Sequence, residues 1–142
     1  MSRALNDLSS GLQPKAFELL ARLTERGVAV MIVDTLRTEA EHLENLRKGS
    51  SAAKLSRHLP RRLRRACASS DPNREKSDAM DVCPYEIYAA AGSDKLRWEP
   101  GAAEWTVIGE EAEKLGLVWG GRWKVPFDPG HVELPRPEWD RP

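Results

Sequence analysis

The chain has 142 residues, of which 31% are charged and 40% hydrophobic, and its formal net charge is zero. That is the length and composition of one soluble domain able to bury a core without staples, and no global field draws it to nucleic acid or anionic membrane. No run of 18 apolar residues occurs and the first residues lack a continuous apolar stretch, so neither a transmembrane helix nor a signal peptide is expected.

Residues 12–26 predict a helix, with Pro14 in its first turn, Gly27 at its stop, and an apolar stripe of Leu12, Phe17, Leu19, Leu20 and Leu23. The β-branched run 28–33 predicts a buried strand, and Thr38 is placed to cap a second helix over 39–47. Residues 50–54 are small and polar, hence a loop. Residues 59–76 are polar, carry Pro60 and Pro72, and predict a long surface loop with one helical turn through its arginines. Five arginines lie between Arg57 and Arg65; they read as a solvated face, or more sharply as a site for an anionic polymer. Strand character returns at 77–82, followed by a short helix over 86–91 and a clear helix over 101–115 with Trp105, Ile108, Ala112 and Leu115 on one face. Residues 117–119 predict a strand, Gly120-Gly121 a turn, 131–134 a final strand, and 135–142 an extended tail. Cys67 and Cys83 form no CxxC pair and are expected as free thiols, or as one bridge at most. The whole of 1–142 reads as a single domain without internal repeats.

With only three histidines, each carries weight. Two histidines and an aspartate can hold a zinc ion and leave a position open for water. His58, Asp81 and His131 have the right chemistry, though they are far apart in sequence. Asp81 sits in the apolar segment 79–82, where an unpaired carboxylate is costly; either a metal or an arginine of the neighbouring loop would compensate it. Asp128 precedes His131 by three residues across Pro129-Gly130, so it is either a general base beside the metal or simply the start of a turn. Arg37, after a strand, can bind a carboxylate or stabilise an oxyanion, or be merely solvated.

Taken together these pieces resemble the zinc D,D-carboxypeptidase and L-alanyl-D-glutamate endopeptidase superfamily. That superfamily includes phage endolysins and vancomycin-resistance carboxypeptidases, and it shares its fold with the hedgehog amino-terminal domain. Leu36-Arg37-Thr38 with the helix ending Leu46-Arg47-Lys48-Gly49 resembles its arginine-containing first block. Ser56-Arg57-His58 and Ser77-Asp78-Ala79-Met80-Asp81-Val82-Cys83-Pro84 resemble its SxHxxGxAxDxxP motif. Leu117 to Trp123 and Asp128 to Leu134 resemble its GxxWGGxW…DxxHF(E/Q) block, which is closest to the endopeptidases.

The resemblance implies an α+β, hedgehog/DD-peptidase-like fold: a small antiparallel sheet, flanking helices and a zinc cleft. It implies one zinc ion on His58, Asp81 and His131, with Asp128 as catalytic base and Arg37 at the substrate or oxyanion. Ser56, His42, Trp119 and Trp123 would contact substrate. The implied activity is a zinc-dependent, monomeric peptidase acting on peptidoglycan stem peptides, most of all between L-alanine and D-glutamate, without nucleic acid or membrane insertion. D-alanyl-D-alanine carboxypeptidase or dipeptidase activity, or cell-wall binding without turnover, are the alternatives. Synthesis would be cytoplasmic, with action on the wall if the protein is released. Two departures stand out. His58 and Asp81 are 23 residues apart (58 to 81) where the family keeps seven, so about 16 are inserted, and His42 falls where the family often has glutamine.

Overall fold

The computed structural model describes residues 2–49, 56–86 and 96–136. The loop expected over 50–54, nearly all of the helix expected over 86–91, and the tail beyond 136 lie outside them. The described elements are α1 (Gln13–Glu25), β1 (Val30–Asp34), α2 (Glu39–Lys48), α3 (Arg61–Arg64), β2 (Ala79–Pro84), α4 (Ala103–Lys114), β3 (Val118–Trp119) and β4 (His131–Glu133). Among them no helix is long and apolar enough to cross a membrane.

The strands form one antiparallel sheet in the order β1-β2-β4-β3, with helices α1 and α4 packed together over the core. This is the expected α+β architecture. Leu12, Ala16, Leu19 and Leu23 are fully buried, a spacing of four, three and four that marks one helical stripe. Phe17 falls off that stripe and is 56% exposed, contrary to its assignment from sequence. Trp105, Ile108 and Ala112 of α4 meet the same core as Met80 and Val82 of β2 and Val132 of β4. The run 28–33 is not a fully buried strand either: β1 lies at a sheet edge and leaves Met31 37% exposed. Thr38 caps α2 in a reciprocal box with Glu41, and Gly49 ends the helix at φ 76°. Cys67 and Cys83 are both free thiols.

Period two along the central strands sets the site. Met80 and Val82 enter the core, so Asp81 between them faces the other way. Asp81 is paired in register with His131 on β4 and with Asp34 on β1. The tight turn before β4 is closed by the His131 amide donating to the Asp128 carbonyl (3.1 Å). Gly130 is required there, because a Cβ at that position would lie 2.2 Å from the Val82 carbonyl oxygen.

The arginine-rich stretch is a solvated face only in part. Arg62 is exposed, but the side chains of Arg57 and Arg64 are buried and that of Arg61 is nearly so. Arg61 donates through Nε and Nη2 to the two Asp78 oxygens (3.2 and 2.8 Å), and Arg64 Nη2 donates to Asp78 Oδ2 (2.6 Å). The backbone closes back on itself as well: Arg61 N donates to Lys76 O (3.0 Å) and Asp78 N to Arg57 O (3.2 Å). The insert therefore leaves and rejoins the domain at one place, and His58 stays beside β2. Arginine of the loop does compensate a buried aspartate, but the aspartate is Asp78, three residues before Asp81.

Burial would raise the Asp78 pKa, but its hydrogen bonds to Arg61 and the pull of Arg64 hold it well below the usual carboxylate range. Asp78→Ala leaves two guanidinium groups without their carboxylate, one of them fully enclosed, and should cost about 3–5 kcal/mol in chemical denaturation at pH 7. A carboxylate depressed in the native state stabilises fully above its unfolded pKa of about 3.9 and loses that contribution as pH falls below it. The gap between the two proteins should thus hold at pH 5 and narrow only below about pH 4.

Candidate metal centre

One ligand atom each from His58, Asp81 and His131 lies within 4.8 Å of the others. The three residues arrive from different elements: Asp81 from β2, His131 from β4, and His58 from the segment just before α3. The imidazole centroids are 5.1 Å apart, with the rings nearly perpendicular.

Each ring has a defined inner edge. His58 Nδ1 is 2.9 Å from the Thr35 carbonyl oxygen, which can only accept, so Nδ1 carries a proton and Nε2 is turned inward. That Nε2 is buried and faces Asp81 Oδ2 at 3.2 Å. His131 is held between two carboxylates, with Nε2 2.9 Å from Glu133 Oε1 and Nδ1 3.0 Å from Asp81 Oδ1. Burial alone would lower the His131 pKa, but its hydrogen bonds to Asp81 and Glu133 carry it up to about 10. Burial would likewise raise Asp81, yet the two imidazoles hold it far below the carboxylate range.

This donor set fits zinc. An enclosed imidazole nitrogen set against a carboxylate, a carboxylate between two imidazoles, and an acidic surround that holds a proton on His131 form a donor set that a cation at the centre would bridge. Glu133 takes the outer edge of His131 as Thr35 takes that of His58, leaving Nδ1 of one ring and Nε2 of the other inward. Glu133 is itself steadied by Arg57 and Arg136, each 3.4 Å from Oε2.

Asp128 stands at the edge of the cluster, with Oδ2 3.9 Å from His131 Nδ1 and the side chain 44% exposed. Burial, and then repulsion from Asp81, raises its pKa. Arg37 is fixed by Asp34, whose Oδ2 accepts from its Nη2 at 2.7 Å. A cleft of about 430 Å³ is lined by His58, Asp81, Asp128 and His131 together with Arg37, Ser56 and Trp123. The Ser56 hydroxyl accepts from the His58 amide (3.2 Å), and the Trp123 ring lies 5.0 Å from that of His131.

Two residues expected at the substrate are elsewhere. His42 is buried on α2 and does not line the cleft. Trp119 is turned away from it: its indole N–H donates to the Pro129 carbonyl (2.8 Å), bracing the turn between Asp128 and His131. The glycines around it are spacers, since a Cβ at Gly109 or Gly121 would come within 2.4 or 2.1 Å of the Trp119 ring. The sequence reading did not single out Asp34, Thr35 or Glu133. Glu133 carried a signal, because it lies two residues from His131 on a strand and so shares its face.

Residues 75–134 match the family described as D-alanyl-D-alanine carboxypeptidase. The match takes in Asp81, Asp128 and His131 but begins after His58 and Arg37. No curated protein matches the chain. Among solved structures, the fold is similar to that of the Serratia marcescens L-Ala D-Glu endopeptidase ChiX, at 22% identity and a TM-score of 0.61, over 96% of this chain and 87% of that one. In its motif residues and in its fold, the chain resembles the VanY-like zinc D,D-carboxypeptidase and L-alanyl-D-glutamate endopeptidase superfamily.

Proposed function

We propose that the protein is a zinc-dependent peptidase that hydrolyses an amide bond in peptidoglycan stem peptides. The observation that carries this reading is the convergence of His58, Asp81 and His131 on one point, with Asp128 at its open side. His58 Nε2, an Asp81 oxygen and His131 Nδ1 would hold the ion. Zinc in such a set supplies Lewis acidity and makes water nucleophilic near neutral pH.

The chain's own residues do the rest. Asp128 is close enough to the cluster to take the proton of a water attacking the scissile carbonyl carbon. As the carbon–nitrogen bond breaks, the same carboxyl returns that proton to the leaving amine. Arg37, braced by Asp34, presents a guanidinium to the oxyanion that forms on the carbonyl oxygen. Trp123 and Phe127 form apolar walls that keep bulk water off the reacting atoms.

For the bond, the reading favours L-alanyl-D-glutamate, supported by the tryptophan-rich C-terminal block and by the likeness in fold to an L-Ala D-Glu endopeptidase. The family match over 75–134 favours removal of a terminal D-alanine as the second reading. Mass spectrometry of digested muropeptides separates them: the first releases a peptide beginning with D-glutamate, the second releases free D-alanine.

Chelator should abolish turnover and added zinc restore it; turnover that persists in chelator overturns the metal mechanism. Asp128→Asn should lower kcat by about 10²- to 10⁴-fold while zinc content, measured by atomic emission, stays at one ion per chain. His58→Ala should instead lose the zinc, which separates an ion holder from a proton carrier.

A further inference from the structure

The cleft has two chemically different ends. Beyond the cluster, a second cavity of about 500 Å³ shares Arg37, Asp81, Phe127 and Asp128 with the first and is walled by Val33, Trp98, Pro100 and Trp105. That end is largely apolar, and among the described residues the one guanidinium that lines it, Arg37, is paired with Asp34. The opposite end is cationic. Arg57 and Arg136 both line it, and both lean on Glu133, whose other oxygen is committed to His131. Two guanidinium groups thus meet on the one carboxylate of Glu133.

The two arginines are not equivalent. Arg57 is 5% exposed and donates through Nη2 to the Leu134 carbonyl, so it is part of the wall. The Arg136 side chain is 31% exposed, and among the described residues its hydrogen bond is a long one, from Nε to Glu133 Oε2 (3.4 Å). Arg136 lines the cleft, and of the five N–H donors of a guanidinium the described residues engage the one on Nε. A planar fork at the rim of a cleft, fixed by one edge and open at the other, suits a bidentate carboxylate.

We propose that Arg136 is a specificity-determining residue that binds a free carboxylate on the substrate residue that leaves as the amine. The inference rests on the peptidase reading and adds a chemical requirement to it. Both bonds considered place a free carboxylate on that residue: the α-carboxylate of a γ-linked D-glutamate, or the terminal carboxylate of D-alanine. Arg136 therefore sets the direction in which the peptide lies, with the leaving residue toward Glu133 and Arg136 and the acyl side toward Trp98 and Trp105. An amide in place of the carboxylate keeps the shape of the ligand but loses the charge and one acceptor.

The test uses two muropeptides that differ only in whether the leaving residue carries a free carboxylate or its carboxamide, with zinc-loaded protein. The wild-type protein should prefer the acid by about 10- to 100-fold in kcat/KM, expressed mainly in KM. In Arg136→Gln the ratio of acid to amide should collapse toward one, and Arg136→Lys should restore part of it, since charge without the fork recovers part of the contact. An unchanged ratio in Arg136→Gln, or a wild-type protein indifferent to amidation, overturns the role of Arg136 and leaves the peptidase reading intact. A wild-type protein that cleaves neither peptide overturns the reading itself. The thermal midpoint of each variant confirms that the ratio is read from folded protein.

Discussion

The pairing of Asp81 with His131 across β2 and β4 is the constraint on which the site depends. The two residues are opposite one another in the ladder, so main-chain hydrogen bonds, rather than flexible side chains, set their separation. The same register places Asp34 on the far side of Asp81 and puts Glu133 two positions along from His131 on the same face. Core packing enforces this register, because Met80, Val82 and Val132 fill the interior. A slip of one residue would send the carboxylate and the imidazole inward and the apolar side chains outward.

What was legible in the sequence followed local rules. The alternation around Asp81, the cap at Thr38, the stripe on α1 and the turn before His131 are all set by neighbours within a few residues, and the elements appear within about two residues of where those rules put them. The convergence of His58 with Asp81 and His131 was open from spacing alone, because an insert of unknown path lies between them. It is resolved by contacts that no local pattern encodes: the ion pairs of Arg61 and Arg64 with Asp78, and the main-chain bonds that bring both ends of the insert together.

The arginine-rich stretch shows why composition misleads. Five arginines in nine residues look like a surface, and burying any one of them alone would be prohibitive. Here Arg61 and Arg64 share the buried carboxylate of Asp78 and Arg57 leans on Glu133, while Arg62 stays exposed beside Glu75. Trp119 shows the converse. A tryptophan in a motif next to a catalytic turn suggests a substrate wall, yet its indole N–H and the two glycines against its ring, Gly109 and Gly121, make it a strut. The distinction depends on which side of a two-residue strand the ring leaves, which sequence does not specify.

The two rings of the centre are oriented by different kinds of partner, and the difference bears on how each can fail. Glu133 is a side chain, so a single codon change can remove the group that orients His131. The acceptor for His58 is the main-chain oxygen of residue 35, which every amino acid possesses. Substitution at that position cannot delete the acceptor, and only a change in the path of the chain can withdraw it. Heritable variation thus reaches one half of the centre through side-chain chemistry and the other only through backbone displacement.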